Sequence, residues 1–146
     1  MNSDAGNLRD EFLSIAADAK IEFELIKIVR VPTKQTFGIE VNLNDFSFSY
    51  PDQIKESDKG GSDAWDVNTY LNIWVGAITS DQFFGYAYPP SGLKNWPENF
   101  ESPRSDYDGV VINYKVFGRQ LAPFIDNEGN IIPLNGRTAT HEIGSN

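Results

Sequence analysis

The sequence contains no cysteine, which excludes a disulfide scaffold and any thiolate metal site within it. It contains one histidine, His141, so a site built from several imidazoles cannot be assembled from these residues. Basic residues are few: 12 Lys and Arg stand against 21 Asp and Glu, a formal net charge of −9. With no basic patch to displace counterions from a phosphate backbone, nucleic acid is not an expected partner. No run approaches the 18 apolar residues of a bilayer-crossing helix, so no membrane partner is expected either. The opening "MNSDAGNLRDEF" lacks the basic and apolar regions of a secretory signal.

What is present suits a folded domain. The chain has 146 residues, 40% of them hydrophobic, with ten Phe, six Tyr and three Trp. That is enough for one domain with its own core. Residues 8–19, "LRDEFLSIAADA", carry a patchy helical apolar face, with Asn7 or Asp4 as cap. Over residues 21–28 the period changes to alternation, Ile21, Phe23 and Leu25 against Glu22, Glu24 and Lys27, which predicts a half-buried strand. "TFGIEVNLNDFSFSYPD" is turn-rich with short extended pieces, and "KESDKGGSDAWD" is the clearest break. "TYLNIWVGAI", residues 69–78, is apolar almost without alternation, which predicts a central strand covered on both faces. Phe84–Tyr88 ends at a double proline, which predicts an edge strand. "GVVINYKVFG", residues 109–118, predicts a second buried strand. After it comes a loop with a turn at Glu128–Gly129, then a helix start capped by Asn135. The fold class expected is α+β, a twisted mixed sheet with an edge strand.

His141 and Glu142 are the candidates for chemistry. "HE" on a helix is the first half of H-E-x-x-H, in which residues i and i+4 share a helix face and two imidazoles reach one zinc ion. The glutamate between them takes a proton from metal-bound water. Position 145 should be the second histidine and is Ser145, a poor neutral ligand. Taken alone, a single His-Glu pair reads as a solvated surface pair.

The surroundings sharpen this. "GRTATHEIG" (136–144) resembles the active-site helix start of the cytophagalysin/pappalysin family of metzincin zinc peptidases. "GGSDAWDVNTYLNIWV" (60–75), "GYAYPP" (85–90), "DGVVINYKVFG" (108–118) and "AADAKIEFELIKI" (16–28) resemble further segments of that family, in its order. The resemblance implies a partial metzincin, zincin-like N-terminal subdomain with residues 1–146 as a single incomplete catalytic domain. It implies a first strand and backing helix upstream and further ligands downstream, so the chain is expected to be a fragment clipped at both ends. An uncovered apolar face and an unpaired strand edge are then expected to make it marginally stable.

By the same resemblance His141 is a zinc ligand, Glu142 the general base, and Gly85, Tyr86 and Ala87 the edge strand that pairs with a peptide or protein substrate. The implied activity is zinc-dependent peptide-bond hydrolysis by an extracellular, secreted parent. The chain itself is expected to be inactive, because the motif is broken at Ser145. Tyr86 and Tyr88 could equally be packing residues, and Trp65, Trp74 and Tyr114 are expected in the core. Asp63 and Asp66 could hold calcium, but "SDKGGSDAWD" lacks the carboxylate spacing of a calcium loop, so turn capping is expected. Two other functions compete: a non-catalytic peptide-binding β-rich module or inert gene product, and a carbohydrate-binding platform of Trp65, Trp74 and Trp96, which requires an exposed Trp74.

Overall fold

In the computed structural model the described residues are 20–42, 44, 47–79, 83–94, 104–118, 124–125, 128–132 and 138–144. The helix expected over residues 8–19 lies outside them, as do Trp96, the cap Asn135 and Ser145. The chain divides into two compact units, Met1–Arg30 and Val31–Asn146.

The second unit is built on a three-stranded mixed sheet. Strand β3 (Ile73–Gly76) runs parallel to β5 (Gly109–Asn113), and β4 (Gly85–Tyr88) runs antiparallel to β5 on its other side. The spatial order is therefore β3-β5-β4. Strands β1 (Glu40–Asn42) and β2 (Ser47–Ser49) form a separate antiparallel pair, as do β6 (Phe124–Ile125) and β7 (Ile131–Ile132). Helix α1 (Thr138–Gly144) packs on β4 and β5.

The central position of β5 explains its sequence. All five residues are buried. Val110 and Ile112 point to one face, where Val116, Phe84, Ala87, Ala139 and Ile143 cover them. Val111 points to the other, into a cluster of Phe37, Ile54, Trp74, Ile78 and Tyr86. A strand covered on both faces has no solvated side chain, so its apolar run need not alternate. Gly109 starts the strand at φ 129°, and a Cβ there would strike the Asn72 carbonyl and come within 2.9 Å of the Trp74 ring. Only glycine fits so close an approach.

Three expectations need correction. Residues 21–28 are not a half-buried strand: residues 20–36 are exposed and carry no strand. Alternating apolar residues supply a face but not a ladder, and a strand needs the ladder. Residues 69–78 are not a strand covered on both faces. Only Ile73–Gly76 is strand; Trp74 is buried while Ile73 and Val75 stay about two-fifths exposed. Finally, residues 109–118 are strand only to Asn113, whose side-chain oxygen accepts from Lys115 N and starts a 3-10 turn at Tyr114–Val116. The turn expected at Glu128–Gly129 is there, with Gly129 at φ 84°, but the surrounding loop also holds the β6–β7 pair.

Candidate functional site

Helix α1 sorts its residues by its period. Ala139 and Ile143, one turn apart, lie against the Val110–Ile112–Val116 cluster. Glu142 is half-buried, and His141 is exposed. The seating of Glu142 depends on Gly85 at the start of β4. A Cβ at position 85 would lie 3.3 Å from both Cγ and Oε1 of Glu142, and 2.7 Å from the Val111 carbonyl oxygen. The bare Cα of Gly85 lets the Glu142 side chain pack directly beside the strand. Burial raises the Glu142 carboxyl above its ordinary value, and the neighbouring His141 opposes that rise. A carboxylate so placed holds a proton more readily than a free one.

Strand β4 is the outer strand expected from the double proline. Among the described residues it pairs with β5 alone. Gly85 and Ala87 face α1, while Tyr86 turns its ring into the opposite face and is 5% exposed. Of the three residues predicted to meet substrate, Tyr86 can therefore offer its backbone but not its ring. The structure thus brings Glu142, Gly85 and Ala87 to one side of the sheet and buries the Tyr86 side chain on the other.

That other side holds a network that sequence reasoning missed. Lys55 is 2% exposed. Its ammonium lies 4.3 Å from the Tyr88 ring centre, 5.0 Å from Tyr86, 5.1 Å from Trp74 and 5.5 Å from Tyr107. It donates to the Tyr107 carbonyl at 2.6 Å and lies 3.9 Å from Asp52 Oδ1. Burial pushes the ammonium down to about 8, against the pull of Asp52, Asp108 and Asp106. The hydroxyls of Tyr86 and Tyr88 both donate to Asp52, and that of Tyr107 donates to Glu56 at 2.6 Å. Tyr50 stacks on Tyr86 at 4.6 Å. The only local signal in the sequence is the Asp52–Lys55 spacing of three, which fits any exposed turn.

The remaining candidates fall out simply. Trp74 is buried as expected, with its indole N–H donating to the Ser62 carbonyl at 2.7 Å, so the carbohydrate platform fails. Trp65 and Tyr114 are 37% and 54% exposed and are not core residues; Trp65 instead packs edge-on against Tyr70. Tyr114 lies just past the end of β5, and Trp65 lies in the loop well before β3. Asp63 caps Ser57 through its N–H and hydroxyl, and Asp66 accepts from Asn68 and Thr69. Both are lowered from the ordinary carboxylate value by these bonds, as turn-capping residues should be.

A zinc ion needs three or four ligands. Among the described residues no group of three His, Asp or Glu side chains gathers to hold a metal. His141 is one exposed imidazole, so the described residues do not fit a complete zinc or calcium site.

No protein-family model and no curated protein matches the chain. Solved structures do. It resembles mirolysin. The match to mirolysin in complex with compound 9 has a TM-score of 0.67 at 34% identity, covering 99% of this chain and 48% of that one. Mature mirolysin from Tannerella forsythia in complex with a cleaved peptide matches at TM-score 0.63 and 34% identity, with the same coverage. The promirolysin mutant E225A from Tannerella forsythia matches at 0.58 and 31%, covering 42% of that chain. The chain thus spans about half the length of the mirolysin chains it matches. Mirolysin is a metzincin-type metallopeptidase, and the small mixed α+β fold matches its N-terminal subdomain.

Proposed function

We propose that the chain is the substrate-side portion of a metal-dependent endopeptidase domain, hydrolysing peptide bonds. The observation that carries this is the seat of Glu142: a half-buried carboxylate resting on Gly85 at the head of an outer strand. An extended peptide laid along β4 would gain main-chain hydrogen bonds from the strand, and its backbone would pass beside Glu142. Glu142 is the group that takes and returns the proton, helped by the burial that raises its carboxyl. His141 is assigned as one ligand of a metal, zinc by the family resemblance. The described residues do not complete that site, and no chemical step is assigned to the metal. An extracellular location follows from the same resemblance.

The test is the longest natural reading frame containing these residues, expressed and assayed on casein. Hydrolysis that a chelator and Glu142→Ala each abolish supports the proposal; hydrolysis that persists in Glu142→Ala sinks it. The 146-residue chain alone, with stoichiometric zinc, should not cleave casein.

A second reading, a peptide-binding module without catalysis, rests on β4 alone, an outer strand that pairs only with β5 among the described residues. Peptide binding that survives both chelator and Glu142→Ala, but is lost when proline replaces Ala87, would favour it.

A further inference from the structure

An outer strand is held by hydrogen bonds on one side only, and fraying is its default. Strand β4 has a second attachment. Its two side chains on the face away from α1 end on the same carboxylate: Tyr86 donates to Asp52 Oδ1 at 2.6 Å, and Tyr88 to Asp52 Oδ2 at 3.0 Å. The 3-10 turn that carries Asp52, Asp52–Lys55, is itself fixed. Ile54 is 4% exposed in the core, and Lys55 donates to the carbonyl of Tyr107, two residues before β5 begins. One turn therefore grips both the outer strand and the lead-in to the central one.

The grip is specific to register. Sliding β4 by one residue would send its tyrosines to the α1 face, and sliding it by two would leave one carboxylate oxygen without its tyrosine. Packing alone would not require this, since phenylalanine fills the same space without bringing a hydroxyl and a carboxylate out of water.

We propose that Asp52 is a positioning residue for the peptide-binding edge, holding Gly85–Tyr88 in the register that keeps the strand beside Glu142. This rests on the reading of β4 as the peptide edge, and the experiment separates the two.

Amide hydrogen exchange is measured at residues 85–88 and at 110–112 in the full chain. Binding of a fluorescein-labelled Val-Thr-Ala-Val-Thr-Ala peptide is followed by anisotropy. In Asp52→Asn, exchange at 85–88 should quicken about tenfold, exchange at 110–112 should change less than about twofold, and peptide binding should weaken about tenfold. The double variant Tyr86→Phe, Tyr88→Phe should show at least as large an effect, because it keeps the rings and removes both hydroxyl donors. The control is Ile78→Val, which loosens the same core cluster from outside the turn that carries Asp52. It should quicken both sets of amides together and leave peptide affinity unchanged. If Asp52→Asn does not fold, Tyr88→Phe carries the same readout with a smaller, about threefold effect. Parallel acceleration at 85–88 and 110–112 in the Asp52 or tyrosine variants, as in Ile78→Val, would overturn the proposal. If the unaltered chain does not bind the peptide, the edge-binding reading fails, and the exchange ratio alone decides the clamp.

Discussion

The two faces of the β3-β5-β4 sheet are built from opposite materials. On the α1 face lie mostly aliphatic side chains, Val110, Ile112, Val116, Ala87, Ala139 and Ile143, with the Phe84 ring among them and the Glu142 carboxylate at the margin. On the other face lie Trp74, Tyr50, Tyr86 and Tyr88, with a buried ammonium among the rings. Small residues let a helix come close, and Gly85 carries that to its limit. Large rings with polar tips do something else: they fill the space and also reach fixed hydrogen-bond partners. One face is arranged for approach and the other for rigidity, and the chemistry proposed here sits on the first.

The contrast can be tested from both sides. The largest effect is expected on the aromatic face. Trp74→Ala removes a core ring and the bond to Ser62, and should cost about 4 kcal/mol in denaturant unfolding. A loss under about 1 kcal/mol would mean that this face is not the rigid one.

The second effect is a pH dependence. Burial lowers the Lys55 ammonium from 10.5 to about 8. Below that value both folded and unfolded chains carry the proton. Between about 8 and 10.5 the folded chain releases it first, so stability should rise with pH, by at most about 3 kcal/mol. Burial, and then the Asp52 charge, raises the Tyr86 and Tyr88 hydroxyls above 10.0. Above about pH 10 the unfolded chain therefore loses those protons first, and stability should fall. Unfolding curves from pH 7 to 11 should show a maximum near pH 10, and Lys55→Met should remove its rising limb.

On the α1 face, Gly85→Ala places a methyl against the Val111 carbonyl and the Glu142 side chain. It should cost about 2 kcal/mol and displace Glu142. The smallest effect is that of Glu142→Gln. The Glu142 carboxyl is raised in the folded chain, so its contribution is favourable below its unfolded value and lost as pH rises through the folded one. Glutamine removes that loss, and should stabilise by a few tenths of a kcal/mol at pH 7 for a side chain still partly in water, and not at pH 3. Stabilisation that persists at pH 3 would place its origin elsewhere than in charge burial.

The α1 face was the more legible of the two. The apolar run at Gly109–Asn113 and the double proline after Tyr88 are local signals, and each points to the element that formed. The aromatic face is long-range. Tyr86 and Asp52 are 34 positions apart, and Lys55 and Tyr107 are 52 apart. Nothing in "DQIK" says that its lysine will be buried, because a charged turn ordinarily faces water. The same limit explains residues 21–28. Alternation records which side chains prefer burial, whereas a strand also needs a neighbouring backbone, which composition cannot supply. For the site, the His141–Glu142 pair and the β4 edge could be read in the sequence. The seat of Glu142 on Gly85 could not, because it depends on the depth to which α1 settles.

The buried ammonium also gives the chain a clock. At pH 8 about half of the Lys55 side chains are uncharged, the form that attacks acylating reagents, whereas a surface lysine is almost wholly protonated. Yet its Nζ is sealed among four rings and cannot meet a reagent while the fold is closed. Lys55 should therefore be among the last lysines to acylate, at a rate set by how often the aromatic face opens. That rate, read by mass spectrometry as the acylated fraction against time, would report how readily the aromatic face opens.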